Sequence, residues 1–135
     1  MNGKIIYDNS ISTIDFMSLR ESVGFSKVST KQAQAAIENS NFIISANIDN
    51  RTVGMVRLIT DGLQALIMDL IVHPDYQKKG IGMCLMKHVL KYIQNMANDG
   101  NRILVNLLTD KGKIDFYQKF GFNESIGMRQ YIETK

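Results

Sequence analysis

The segment Gln77-Lys78-Lys79-Gly80-Ile81-Gly82 constrains this chain more than any other stretch. An unbroken apolar run, Leu70-Ile71-Val72, stands before it, and from Met83 to about Ala97 apolar side chains recur at helical spacing. The order is strand, glycine turn, helix. Glycine at such a turn allows positive φ and lets backbone N–H groups approach a ligand closely. The first amides of the helix have no intrahelical acceptor, and the helix dipole places partial positive charge on them. A phosphate suits that position, and Lys78 and Lys79 add two charges at its rim. The turn therefore reads as a pyrophosphate cradle; the plainer alternative is an ordinary strand-to-helix turn with solvated lysines.

Two common phosphate motifs are excluded. The dinucleotide fingerprint needs a third glycine, where this chain has Leu85, and the P-loop ends in Gly-Lys-Ser/Thr, which is absent. What remains is Gln-x-x-Gly-x-Gly after a His73-Pro74-Asp75-Tyr76 turn. This resembles the acyl-coenzyme A loop of the GNAT superfamily of N-acetyltransferases. The resemblance implies acetyl-coenzyme A as co-substrate and no metal. It places Gln77, Lys78, Lys79, Gly80, Ile81, Gly82 and Met83 at the cofactor, with backbone N–H groups of Leu70, Ile71 and Val72 facing the thioester carbonyl.

The rest of the chain fits that frame. Lys4 to Tyr7 is a short strand candidate. Ser12 or Thr13 can cap a helix reaching about Glu21, with Ile14, Met17 and Phe16 as its inward candidates. Ser29 with Gln32 forms a capping box for a second helix, carrying Ala33, Ala36 and Ile37 inward. Phe42–Ile48 and Val53–Thr60 read as strands around an Asp49-Asn50-Arg51 turn, and Asp61-Gly62 is a hairpin signal. Gln64 to Val72 is apolar at nearly every position except Asp69, the pattern of a strand covered on both faces.

After the glycine loop, Ile81, Leu85, Val89, Ile93 and Met96 form one helical stripe, ended by Asn98-Asp99-Gly100-Asn101. Ile103 to Leu108 is a strand, Gly112 to Phe120 a short helix closed by Gly121. Phe122 opens a last strand, with Met128 to Ile132 as its hairpin partner. The order β-α-α-β-β-β-α-β-α-β predicts an α/β fold with a mixed central sheet and helices on both faces. It is also the order of the GNAT fold, which the resemblance extends over nearly the whole chain as one domain, residues 1–135.

A second signature lies in Phe116-Tyr117-Gln118-Lys119-Phe120-Gly121-Phe122. GNAT enzymes often carry Phe/Leu-Tyr-x-x-x-Gly-Phe here, with the tyrosine beside the thioester sulfur. The resemblance thus implies Tyr117 as general acid, with Phe116 and Phe120 lining the cofactor. A phenol with a pKa of about 10 keeps its proton at neutral pH and can donate it to a leaving thiolate. Without the cradle, Tyr117 reads as an amphipathic core residue.

An amine acceptor must shed a proton before it attacks, and Asp69, Asp110 and His73 are the nearby candidates. Asp69 is the one charge in the central strand. Asp110 stands seven residues before Tyr117, where many family members have Asn at the pantetheine arm. Asp there, with Met68-Asp69-Leu70 and Tyr76-Gln77, resembles the plant-type serotonin N-acetyltransferase branch. Asp110 ranks just above Asp69 as base; His73 reads as a turn residue, and attack with water as the base stays open. Cys84 reads as packing rather than as a nucleophile, and Cys84 with His88 lacks the second ligand pair a metal needs.

A chain of 135 residues with 44% apolar and 21% charged residues is ordinary for one globular domain. The net charge of +3 is too small and scattered to argue for nucleic acid. No apolar run approaches a membrane span and the start carries no long apolar h-region, so a cytoplasmic home is expected. The expected activity is acetyl transfer to a primary amine of a small molecule. Protein N-terminal or lysine acetylation is the nearest rival; an inactive coenzyme A-binding sensor and a nucleotide-binding module are readings from other classes. Small GNAT proteins often dimerise, so a homodimer is possible.

Overall fold

A computed structural model describes residues 3–97 and 100–134. Its elements run β1 (Ile5–Asp8), α1 (Thr13–Ser22), α2 (Thr30–Glu38), β2 (Phe42–Ile48), β3 (Arg51–Thr60), β4 (Gln64–Val72), a 3-10 turn at Pro74–Tyr76, α3 (Ile81–Met96), β5 (Leu104–Leu107), a 3-10 turn at Lys111–Lys113, and α4 (Ile114–Gln118). The strands form one sheet in the order β1-β2-β3-β4-β5. The first three pairings are antiparallel and β4–β5 is parallel, across the α3 crossover.

Local chemistry sets the boundaries. Ser12 and Ser29 accept hydrogen bonds from the N–H groups of Asp15 and Gln32, which starts α1 and α2 at the expected places. Asp49 and Asn50 both take positive φ, 49° and 64°, as the two-residue turn between β2 and β3 requires. Asp61 accepts from the N–H groups of Leu63 and Gln64 and closes the next hairpin. Asn98 and Asp99 of the expected stop after α3 lie outside the described residues.

The sheet is covered on both faces. On one side α3 drives Ile81, Leu85, Met86, Val89 and Ile93 against Val56, Leu58 and Ile67. On the other, Phe16 and Leu19 of α1 and Ala33 of α2 close over Met55 and Ile71. Ile14 departs from expectation: it is 77% exposed, while Phe16 is buried. At 100° per residue the two side chains stand roughly 200° apart on α1, so only one can face the sheet. The larger ring takes that place.

The expected final hairpin is not formed. Among the described residues no strand, helix or turn follows Gly121, so β5 is the last strand there. A two-residue reversal at Ile126-Gly127 would need left-handed backbone at a β-branched residue, or a glycine one position earlier. Gly127 itself stays out of the left-handed region. The mixed sheet and the helices on both faces stand as expected without this pair.

Candidate active site

β4 is bent where it leaves its neighbours. Met55 pairs with Ile71 and Arg57 with Met68, so Asp69 and Leu70 together oppose Val56 alone. This is a β-bulge, and Asp69 takes φ +53° to make it. A left-handed aspartate inside a strand is costly, and two ion pairs offset the cost. Arg20 Nη1 donates to Asp69 Oδ1 and Arg57 Nε to Asp69 Oδ2, each at 2.6 Å. Both guanidinium groups lie over the Phe16 ring, at 5.9 and 5.8 Å from its centroid.

The parallel ladder between β4 and β5 ends at Ile67 with Leu107. From Met68 onward the outer edge of β4 has no paired strand, and a cleft opens between the two. Leu70, Ile71 and Val72 are on that edge. Their side chains do different work: Ile71 is packed under α1, while Leu70 and Val72 lean on the core under α3. Only their backbone groups are therefore common to the cleft.

At the mouth of the cleft the glycine loop is held before any ligand arrives. Gln77 Nε2 donates to the Val72 carbonyl at 2.9 Å. His73 Nδ1 accepts from the Asp75 N–H at 3.1 Å, which makes it the turn residue expected. Arg51 and Lys79 both stand 5.5 Å from the Tyr76 ring centroid. Lys78 and Gly80 take left-handed backbone, φ 64° and 83°. Gly80 then caps α3 without any side-chain hydrogen bond. The helix's own bonding begins with Cys84 N–H to the Gly80 carbonyl, which leaves the amides of Ile81, Gly82 and Met83 to an outside acceptor.

Ile81 sends its side chain into the core, so it too offers only backbone, and Met83 is exposed. Gly82 is the junction of three elements. A Cβ there would stand 3.7 Å from Phe116 Cζ and 3.8 Å from Val72 Cγ2. The loop, the end of β4 and α4 thus converge on one bare backbone position. The residues present suit a diphosphate with a thin arm behind it: amides at a helix start, lysines at the rim, and an unobstructed glycine leading inward.

Phe116 packs edge-on against Tyr117 and Phe120, with ring centroids 5.1 and 5.4 Å apart. Tyr117 is only 9% exposed. Burial first, then the negative charge of Asp110, raises its phenol above the usual value. Asp110, Phe116, Tyr117 and Phe120 are therefore brought together as expected of one patch. Asp69 faces the α1 side of the sheet with both oxygens occupied. Arg57 pairs with Asp69, while Asp61 serves its own turn. The roles of Arg20 and Arg51 escaped the sequence reading. A lone carboxylate in an apolar strand was the signal that a cation had to reach it. No group of three or more His, Cys, Asp or Glu suited to a metal exists among the described residues.

A bulged β4 parting from β5, with an uncapped helix behind a glycine loop, is an arrangement suited to an anion at a helix start. Residues 14–133 match the family model described as Acetyltransferase (GNAT) domain, and the chain belongs to that family. An uncharacterized N-acetyltransferase, ycf52, of Porphyra purpurea is 31% identical over 118 residues, 84% of this chain and 66% of that protein. The chain thus spans about two thirds of the length of that relative. Among solved structures, a probable acetyltransferase of unknown function from meticillin-resistant Staphylococcus aureus is 32% identical, with a TM-score of 0.84 over 97% of this chain and 98% of that one. A GNAT family protein of Streptococcus pneumoniae is 26% identical, with a TM-score of 0.75 and 97% and 98% coverage.

Proposed function

We propose that this chain transfers an acetyl group from acetyl-coenzyme A to a primary amine of a small molecule by direct attack. The observation that supports this most is the uncapped start of α3 behind Gly80, with the bare backbone of Gly82 against Phe116 and Val72. When bound, acetyl-coenzyme A supplies the reactive thioester carbonyl. The amides of Ile81, Gly82 and Met83, with Lys78 and Lys79, hold the diphosphate. Gln77 fixes the loop, Gly80 turns it, and Phe116 and Phe120 wall the pantetheine arm. Backbone N–H groups at Leu70, Ile71 and Val72 donate to the carbonyl oxygen as it gains charge.

The proton balance involves two side chains. The acceptor nitrogen forms the C–N bond and loses a proton; the C–S bond breaks and the sulfur gains one. Tyr117 Oη holds the proton for the sulfur. With its pKa raised, the phenol stays protonated across the neutral range, and it yields the proton only as the amine's proton is returned. Asp110 takes up that proton, directly or through water. Asp69, with both oxygens on guanidinium groups, serves as a positioning residue that keeps the bulge in β4, and carries no proton. Asp110 and Tyr117 seven residues apart, beside Met68-Asp69-Leu70, favour an arylalkylamine acceptor as in the plant-type serotonin branch.

A thermal-shift series followed by thiol release tests the reading. Acetyl-coenzyme A raises the melting temperature by mass action, RT ln(1 + [L]/Kd), while NAD and ATP leave it in place. Free thiol then appears with arylalkylamines or polyamines. Binding without thiol release from any amine or peptide acceptor would leave a coenzyme A sensor. Release with peptide acceptors alone would move the substrate to protein amines.

A further inference from the structure

The cluster around Asp69 carries one positive charge too many. Two guanidinium groups, of Arg20 and Arg57, share its single carboxylate. Both are shielded, with side chains 16% and 13% exposed. Among the described residues no other carboxylate pairs with either of them. A shielded cation without its own counter-charge is costly, and an anion beside it relieves that cost.

Arg20 is also short of acceptors. Of the five N–H groups of a guanidinium, the described residues engage two: one on Nη1 with Asp69 Oδ1 at 2.6 Å, one on Nη2 with the Ser26 carbonyl at 3.4 Å. Nε is buried and has no partner among the described residues. The group is nonetheless held still, 5.9 Å from the Phe16 ring centroid and 5.3 Å from that of Phe25.

A pocket of about 180 Å³ opens beside it, between the end of α1 and residues 25–28. Met17, Phe25 and Val28 give it apolar walls, while Ser26 and Lys27 add a hydroxyl and an ammonium. Glu21 is the one carboxylate among its lining residues. Arg20, Arg57 and Lys27 against Asp69 and Glu21 leave these surroundings net positive. A cation would find few acceptors here, because the carbonyls that end α1 are already taken. Ser22 Oγ donates to Leu19, the Phe25 N–H to Arg20 and the Gly24 N–H to Glu21. Asp69, which Arg20 holds, directly precedes Leu70, one of the residues whose amides are assigned to the thioester. Consecutive Cα atoms stand about 3.8 Å apart, so the pocket lies beside the reacting edge, on the α1 face of the sheet.

We propose that this pocket takes an anionic group, carboxylate or phosphate, carried by the acceptor amine, with Arg20 and Lys27 as specificity-determining residues. Resting on the acetyl transfer proposed above, this narrows the acceptor to an amine that also bears an acid. An arylalkylamine with a carboxylate, such as an aromatic amino acid, meets both conditions. Its apolar part lies against Met17, Phe25 and Val28.

Paired acceptors test this. Thiol release is measured for amines that differ only in the acid: phenylalanine with phenethylamine, β-alanine with ethylamine, phosphoethanolamine with ethanolamine. At least one acid-bearing member is expected to exceed its plain partner tenfold or more in kcat/KM. Lys27→Ala, at an exposed position clear of the Asp69 pairs, is expected to erase that advantage through KM, with kcat unchanged. Glu21→Gln is expected to enlarge it. No advantage in any pair, or one that survives Lys27→Ala, would overturn the proposal.

Binding gives a readout that needs no turnover. With coenzyme A in excess to fill the glycine loop, hydrocinnamate and inorganic phosphate are titrated calorimetrically into the parent chain and Lys27→Ala. At least one is expected to bind the parent, and tenfold or more weakly the variant. No binding of either, or equal binding to both proteins, would overturn the anion site. Anion binding without thiol release from any amine would end the acetyl-transfer reading and keep the site. Thiol release from plain amines alone would do the reverse.

Discussion

Arg57 Nε reaches Asp69 Oδ2 at 2.6 Å across the bulge that separates β3 from β4. The two residues are twelve apart in sequence and sit on neighbouring strands, yet the bulge brings the carboxylate round to the guanidinium. This pair, with Arg20 from α1 on the other oxygen, holds the one left-handed residue of β4 in place.

Asp69→Asn leaves two partly buried guanidinium groups without a counter-charge. Loss of one member of a buried pair costs about 3 kcal/mol or more. Urea unfolding is expected to show that loss, together with weaker activity. A stability change below about 1 kcal/mol with activity abolished would instead make Asp69 a proton carrier, since surface-like effects fall in that range.

Gly82→Asp places a carboxylate against the amides meant for phosphate. The nearest atoms to a new Cβ are at 3.7 Å, ordinary contact, so the fold accepts it. Affinity for coenzyme A is expected to fall by about a hundredfold, roughly 2.8 kcal/mol, with the melting temperature of the free protein unchanged. Calorimetric titration reads this directly. Retained affinity would put the diphosphate elsewhere.

Under the proposed mechanism, Tyr117→Phe removes the proton held for the departing sulfur. General acid catalysis contributes about a hundredfold to ten-thousandfold, so kcat is expected to drop by such a factor while coenzyme A affinity changes little. Because the Tyr117 pKa is raised by burial and by Asp110, the parent enzyme should show no loss of kcat from this group until the pH passes 10. An unchanged kcat in the variant would end the assignment.

Alkaline pH gives a separate stability test. Burial, then the neighbouring Cys84 side chain, lifts the Tyr7 phenol from 10.0 to about 12, and Tyr117 is shifted the same way. Above pH 10 the unfolded chain releases these protons while the folded one keeps them, so stability falls as pH rises through that window. Below pH 10 the contribution is intact. The unfolding free energy from denaturant melts should fall with pH across this range more steeply in the parent than in Tyr7→Phe; the same fall in both would show that Tyr7 has no share in it.

Much of this site was legible because it is local. The strand, the glycines and the stripe from Ile81 to Ile93 occupy one continuous stretch, and each residue type has a direct backbone consequence. Tyr117 was found through a motif, and its proximity to Asp110 follows from a short loop. The Arg20–Asp69–Arg57 cluster was not legible, since Arg20 and Asp69 are 49 residues apart and meet only through tertiary packing. Nor was the bulge, which depends on register between two strands rather than on either alone. The inward face of α1 was misjudged at Ile14 because both it and Phe16 are apolar on a helix of ten residues, too short for periodicity to choose. The final hairpin was expected without weighing whether Ile126-Gly127 can turn.

The glycine loop is fastened at its start, by Gln77 to Val72 and by Tyr76 between Arg51 and Lys79. A receptor already in shape spends little ordering entropy on capture. Coenzyme A should therefore associate in a single fast phase whose rate scales with its concentration, with no slow isomerisation trailing the encounter.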